Sequence, residues 1–154
     1  MSDSPNASSR PDLPALLVTA GQLGLILAIV VTGPIFPSSP GPLALMAAGL
    51  ALLAWTLLHN RLGNFNIHPD IRPQSRLITT GPYRFIRHPM YTGIMLTMIA
   101  LVIEAPSTER WILLAGLTAV LLMKIRFEER NLLGKFPEYA DYRRKTNRLI
   151  PFLF

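Results

Sequence analysis

The sequence predicts an all-α protein, a multi-pass membrane bundle of about four helices with a cytoplasmic helical extension at the C-terminal end. Half of the 154 residues are apolar and only 16% are charged, whereas soluble domains carry about 25% charged residues. Residues 13–58 contain no Asp, Glu, Lys or Arg, and a soluble domain could not cover that much apolar surface. We expect residues 1–12 to be a disordered polar tail and residues 13–154 to form one domain.

The first two apolar segments are separated by a cluster of helix breakers. Residues 13–36 form an uncharged run of 24 residues, which is long enough to cross about 30 Å of hydrocarbon and too long for the apolar region of a signal peptide. Prolines and a glycine in residues 37–42 predict a turn, and residues 43–59 predict a second helix. Its small residues form the pairs Ala44/Ala48 and Ala47/Ala51, a spacing typical of close packing between membrane helices.

Two shorter apolar runs, residues 90–103 and 111–123, follow a polar stretch. Residues 104–110, which include Pro106, separate them and predict a helical hairpin. Their length leaves open whether each run crosses a membrane fully.

The basic residues are distributed unevenly between the two predicted sides. The tail, the loop 60–89 and the C-terminal segment hold 14 of the 15 Lys and Arg residues, and the opposite side holds only Arg110. The positive-inside rule therefore places both termini and that loop in the cytoplasm, as in a prokaryotic inner membrane. A nucleic-acid surface would also be basic, but here the basic residues flank apolar segments and lie beside seven acids.

Residues 81–93, with the sequence GPYRFIRHPMYTG, form the first polar cluster. Pro89 suits the first position of a helix, which makes His88 the cap. A helix start attracts anions, and Arg84 and Arg87 add positive charge. The alternative is that these residues only anchor the chain at the level of the lipid headgroups.

Two further polar clusters follow the fourth apolar run. Residues 124–134 continue its helix and place Glu128 and Leu132 on one face, although a solvated helix end would show the same pattern. In residues 136–151, Tyr139 and Tyr142 share a helix face. That pattern also fits an interfacial helix on anionic lipid.

Several function classes are excluded. The sequence has no Cys, which rules out disulfides and thiolate chemistry. It has no phosphate-binding loop, no dinucleotide-binding glycine pattern and no nucleophile elbow. The three His residues lack metal-ligand spacing, so we expect no metal site.

The three clusters, in this order, resemble the isoprenylcysteine carboxyl methyltransferase family, part of a wider group that includes phospholipid methyltransferases. The similar text is LGNF at 62–65, then residues 81–93, EExxL at 128–132, FPxYxxY at 136–142 and RLIP at 148–151. It covers about residues 57–152. The resemblance implies a helical-bundle methyltransferase that uses S-adenosylmethionine and a lipidated or small hydrophobic acceptor at the membrane boundary.

The resemblance also implies roles for particular residues. The implied catalytic residues are Arg87, Arg126 and Glu129. Tyr139 and Tyr142 are assigned to the acceptor or the interface. The implied cofactor-binding residues are His88, Pro89, Tyr91, Gly93, Glu128 and Glu129. We expect Tyr83, Arg84 and Leu132, which lie in the same clusters, to contribute to cofactor binding as well.

The acceptor is expected to be the carboxylate of an isoprenylcysteine. The Gly-x-Gly element of the phosphatidylethanolamine branch is absent ahead of residues 81–93. A carboxylate is already ionised at neutral pH and needs only an arginine to orient it, whereas an amine needs a base. The alternatives are a phospholipid N-methyltransferase, an NADPH-dependent membrane reductase of the sterol-reductase-like type, and a non-enzymatic basic scaffold on membrane lipid.

Overall fold

The computed structural model describes residues 13–60 and 77–151, and in these ranges the chain is all-helical. The helices are α1 (Leu13–Val31), α2 (Pro40–Asn60), α3 (Pro89–Glu104), α4 (Thr108–Lys135) and α5 (Tyr139–Lys145). A short 3-10 helix, Gly81–Arg84, precedes α3. The predicted all-α class is confirmed, and the described ranges contain four long helices. The predicted tail and the stretch 62–65 lie outside the described residues.

The four long helices pack as two pairs. The main contacts join α2 to α3 and α1 to α4, and smaller ones join α3 to α1 and α4. The shared core is aliphatic, because each helix turns one stripe of Leu, Ile, Val, Met or Ala inward. Its most buried members are Ile29, Ala100, Leu101, Val102, Leu117, Leu121 and Ile125.

The pair α2 and α3 cross at two glycines. A Cβ added at Gly49 would lie 2.8 Å from the Gly93 carbonyl oxygen and 2.6 Å from Thr97 Oγ1. The backbones therefore approach as closely as small residues allow. The alanine pairs Ala44/Ala48 and Ala47/Ala51, which were predicted to serve close helix packing, do not contribute to the packing within this bundle, since all four alanines are exposed. The packing stripe of α2 instead runs through Met46, Gly49 and Thr56.

A buried arginine fastens the bundle end that is opposite the polar clusters. Arg110 is 2% exposed, and it donates to the carbonyl oxygens of Ile29 at 3.0 Å and Leu101 at 2.7 Å. Both carbonyls lie in the last turn of a helix, where the helix dipole favours a cation. Arg110 therefore ties the ends of α1 and α3 to the start of α4.

A carboxylate at the same end caps α2. Glu104 accepts hydrogen bonds from the Ser38 amide at 2.9 Å and from its hydroxyl at 2.6 Å. The acid stands at the N-terminus of a helix, where the free N–H groups favour negative charge.

Large apolar side chains cover much of the outer surface. Leu27 is 61% exposed, Leu58 81% and Ile112 66%, and these side chains belong to three different helices. Among the described residues, α2 is the one helix that is both long and apolar enough to cross a membrane, while Leu16–Val31 and Pro89–Glu104 are shorter apolar helices. A multi-pass membrane bundle is compatible with this surface.

The glycine crossing predicts that Gly49→Ala destabilises the bundle. A new methyl group there meets backbone atoms of α3, and overpacking of this kind costs about 1–3 kcal/mol. The measurement is the thermal midpoint in detergent. Gly24→Ala in α1 is the matched control, because a Cβ at Gly24 meets nothing within 4 Å and alanine favours helix. An unchanged midpoint for Gly49→Ala would show that the helices do not cross here.

Candidate active site

The polar residues converge at the bundle end where α3 begins and α4 leaves the core. Residues 86–88 lie beside residues 147–148: Ile86 forms a parallel bridge with Asn147, and the Arg87 amide donates to the Asn147 carbonyl at 2.8 Å. The His88 amide donates in the same way to the Arg148 carbonyl at 3.0 Å. The segment after α5 is thereby bound to the start of α3.

The turn that leads into this site requires a glycine. Gly81 has φ +61, a conformation that costs other residues steric strain. A Cβ there would also lie 2.6 Å from the His59 ring at the end of α2. His59 Nε2 and Thr80 Oγ1 are 2.9 Å apart, so the turn is held against α2.

A buried ion pair forms the centre of the cluster. Arg87 Nε donates to Glu129 Oε1 at 2.8 Å, and both side chains are nearly inaccessible to solvent. Arg87 also donates to the carbonyl oxygens of Arg143, at 3.1 Å, and Thr146. Arg148 Nε lies 3.4 Å from the other oxygen of Glu129. Such bonding offsets the desolvation of the two charges.

His88 stands between two carboxylates at the start of α3. Its Nδ1 lies 3.6 Å from Glu128 Oε2, and its Nε2 lies 3.5 Å from Glu129 Oε1. Burial lowers the pKa of His88, but the two neighbouring carboxylates outweigh burial and raise the pKa above its usual 6.5. The predicted position is confirmed, because His88 caps α3 and Pro89 begins it.

Glu128 is the more accessible of the two carboxylates. Its side chain is 28% exposed, against 5% for Glu129. It accepts a hydrogen bond from the Tyr91 hydroxyl, and the Tyr91 ring stacks on the His88 ring with centroids 5.7 Å apart. Glu128 can therefore still accept a donor from a ligand, since a carboxylate has about four acceptor positions.

Three further tyrosines surround the ion pair. The Tyr142 hydroxyl donates to the Tyr83 carbonyl at 2.6 Å. Burial raises the pKa of Tyr142 to about 12 and, with the negative charge of Glu128, that of Tyr83 to about 12. Tyr139 is buried, and its hydroxyl has no hydrogen-bond partner among the described residues. Burial raises its pKa as well, so all three phenols are neutral.

Most of the residues expected at a site lie in this cluster, but some do not. Arg84 and Arg126 are exposed, and neither belongs to the buried ion-pair network. Gly93 faces α2, with a Cβ position 2.6 Å from Leu53, so helix packing is the role that its surroundings show. Leu132 is partly buried in the last turn of α4.

The structure adds residues that sequence reasoning did not assign to the site. Lys124 Nζ lies 5.6 Å from the Tyr91 ring centroid and donates to Gln22 Oε1 of α1 at 2.9 Å. Arg148 belongs to the RLIP motif at 148–151 but is not among the predicted site residues. Gln22 carried one available signal, because it is a polar residue inside an otherwise apolar helix.

Among the described residues, no group of three His, Cys, Asp or Glu side chains is arranged to hold a metal ion. The acids of the cluster are instead engaged by Arg87, His88 and Tyr91.

The fold and the cluster define a class of small helical bundles with a charged site at one end. Comparison with known proteins assigns the family: the phospholipid methyltransferase family model matches residues 41–138. The chain belongs to this family, which is membrane-associated. The resemblance found in the sequence is thereby confirmed.

Curated relatives match about half of the chain. Methanethiol S-methyltransferase 2 of Bradyrhizobium diazoefficiens is 39% identical over 47% of this chain and 27% of its own length. Methanethiol S-methyltransferase of Mycobacterium tuberculosis is 36% identical over 46% and 28%. The cobalt-zinc-cadmium resistance protein CzcN of Cupriavidus metallidurans is 36% identical over 53% and 38%. The chain thus matches less than two fifths of the length of these relatives.

The raised pKa of His88 predicts that stability depends on pH. The folded state holds this proton more tightly than the unfolded state, so the stabilisation is full below about pH 6.5 and is lost as pH rises through the raised value. The thermal midpoint should therefore fall above pH 6.5. The measurement is a series of thermal scans from pH 5 to 9.

His88→Asn is the variant that isolates this effect, and it should flatten the pH dependence of the midpoint. His59→Asn is the control, since His59 is a histidine outside the ion-pair network. Equal slopes in the wild type and His88→Asn would contradict the assignment.

Proposed function

We propose that this protein transfers a methyl group from S-adenosylmethionine to a hydrophobic acceptor at the membrane boundary. Family membership supports methyl transfer. The observation that carries the proposal is the convergence of His88, Tyr91, Glu128 and Glu129 from two helices onto one charged site.

The chemistry of the donor set fits S-adenosylmethionine. The cofactor carries an ammonium, a carboxylate, a ribose and a sulfonium. Glu128 is open enough to accept from the ammonium or the ribose, and the partly exposed Arg148 can bind the carboxylate. Two buried atoms, His88 Nε2 and the Tyr139 hydroxyl, have no aligned hydrogen bond to a described residue, and a bound ligand would satisfy them.

The chain contributes positioning rather than covalent chemistry. When bound, the cofactor supplies an electrophilic methyl group, whose bond to sulfur breaks as its bond to the acceptor forms. Holding the reacting groups in line contributes up to about 7–11 kcal/mol to such reactions. The network around Glu129 fixes the site residues.

For the acceptor we propose a carboxylate, as in isoprenylcysteine O-methylation. The cationic groups Arg87, Arg143 and Arg148 around the buried Glu129 create a locally positive field, which favours an anionic acceptor. Thiol S-methylation is the second candidate, because two of the relatives are named methanethiol S-methyltransferases. A thiolate is an anion too, so the same field favours it.

We further propose that the bundle spans the prokaryotic inner membrane, with both termini and the loop 60–89 in the cytoplasm. The exposed apolar side chains of α1, α2 and α4 support this placement, as does the uneven distribution of basic residues. The charged site would then lie at the cytoplasmic boundary, where the tail of a lipidic acceptor stays in hydrocarbon.

Cofactor binding tests the first part of the proposal. His88→Ala and Glu128→Gln should each weaken the affinity for S-adenosylmethionine about tenfold or more. Each variant loses a hydrogen bond to a charged group, and such a bond contributes about 1.5–3 kcal/mol. Glu129→Ala should weaken it too, by releasing His88 and Arg87. Titration calorimetry in detergent measures the affinities.

The exposed Glu138→Gln on the same bundle end is the control for these variants and should bind like the wild type. If both His88→Ala and Glu128→Gln bind S-adenosylmethionine as tightly as the wild type, the proposal that the cofactor binds at this site is wrong.

Methyl transfer to two acceptors tests the second part. A prenylcysteine analogue should be methylated with little dependence on pH between 6 and 9, because its carboxylate is ionised throughout. Phosphatidylethanolamine should be a poor acceptor, and any turnover should increase with pH as its amine loses a proton. The measurement is transfer of labelled methyl groups in reconstituted vesicles. Efficient turnover of phosphatidylethanolamine alone would reverse the assignment.

A further inference from the structure

A lysine one helical turn deeper than the charged site has an unusual environment. Lys124 lies in α4 four residues before Glu128, on the same helix face and closer to the apolar core. It is partly buried, with its ammonium 5.6 Å from the Tyr91 ring centroid. An ammonium in such a place is desolvated, and it needs partners to compensate.

Its protein partners leave bonding capacity unused. Lys124 donates one hydrogen bond, at 2.9 Å, to the neutral Gln22 Oε1, and the Tyr91 ring offers a cation–π contact. A lysine ammonium has three N–H donors. Among the described residues, no carboxylate forms an ion pair with it, because Glu128 is turned towards the Tyr91 hydroxyl and His88.

The partner that holds Lys124 comes from outside the part of the chain that the family model matches. Gln22 belongs to α1, which precedes residue 41, and it is 7% exposed. A buried side-chain amide in an apolar helix destabilises the fold unless it is hydrogen-bonded. Lys124 provides that hydrogen bond to Gln22. Helix α1 therefore reaches the site through one polar contact.

We propose that Lys124 is an acceptor-binding residue, held by Gln22, that recognises the anionic nucleophile of the acceptor, a carboxylate or a thiolate. This inference rests on the proposed function. The lysine lies on the apolar side of Glu128, which is the direction from which the head of a lipidic acceptor would enter. Its charge neutralises an anion there, whereas the ammonium of a phospholipid would be repelled.

Binding without turnover provides the first test. The protein in phosphatidylcholine nanodiscs is titrated with N-acetyl-S-farnesylcysteine and with its neutral carboxamide. Wild type should prefer the carboxylate, and Lys124→Gln should lose about ten- to hundredfold in carboxylate affinity, the range for a charged hydrogen bond. Lys124→Arg should restore most of the preference. Lys145→Gln, which removes an exposed charge of α5, should behave as wild type.

Cofactor affinity and thermal midpoint, measured on the same samples, separate this role from others. The affinity for S-adenosylmethionine should be unchanged in Lys124→Gln, and the thermal midpoint reports whether the variant is folded. If the affinity for S-adenosylmethionine falls while the carboxylate preference remains, Lys124 belongs to the cofactor and the inference is wrong. If Lys124→Gln does not fold, the carboxylate preference is measured in Lys124→Arg and Gln22→Leu instead. A full carboxylate preference in Gln22→Leu would contradict the positioning role of α1.

A double-mutant cycle tests the positioning role of Gln22. Gln22→Leu should weaken carboxylate binding in the wild type and have no further effect in Lys124→Gln, because it acts through the lysine. Additive losses would contradict that role.

Measurements of turnover distinguish a carboxylate acceptor from a thiolate acceptor. They also separate the proposed role of Lys124 from the proposed methyltransferase function. With labelled S-adenosylmethionine, Lys124→Gln should raise KM for whichever of the farnesylcysteine and butanethiol is methylated, with a smaller effect on kcat. Absence of methyl transfer to every acceptor in wild type would contradict the proposed function alone, since the binding comparison stands without turnover.

Discussion

The site depends on one buried carboxylate. Glu129 receives Arg87 from the turn before α3, faces His88 at the start of that helix and lies close to Arg148 from the segment after α5. A lone buried anion would be costly, so these cations stabilise it and it fixes their positions in return. Three stretches that are distant in sequence thereby meet at one carboxylate. Glu128, one residue earlier in α4, lies on the more exposed side of this cluster.

Much of the fold could be predicted from the sequence, because apolar length and helix breakers determine where long helices begin and end. The face of each helix that packs could not be predicted as well. The alanine pairs of α2 had the right spacing for close packing, yet the two glycines of α2 and α3 make the contact. In a uniformly apolar helix, every residue is compatible both with the packed interface and with the apolar outer surface. The position of the partner helix determines which residues are packed.

The candidate site was predictable in part, for a related reason. His88, Glu128 and Glu129 lie in short motifs whose residue types already require a polar setting. The exposed Arg84 and Arg126 belong to the same motifs, and sequence spacing cannot tell on which side of a turn or helix an arginine lies. Lys124 and Gln22 were missed because their contact joins residues 102 positions apart, which no local pattern encodes.

The arginine at the far end of α4 has a geometric consequence. Arg110 is fixed to α1 and α3 by main-chain carbonyls, and Glu129 follows it by 19 residues along one uninterrupted helix. At 1.5 Å per residue the two side chains are about 28 Å apart along the axis, close to the hydrocarbon thickness of a bilayer. Helix α4 therefore fixes the distance between the arginine that holds one end of the bundle and the carboxylate that organises the other.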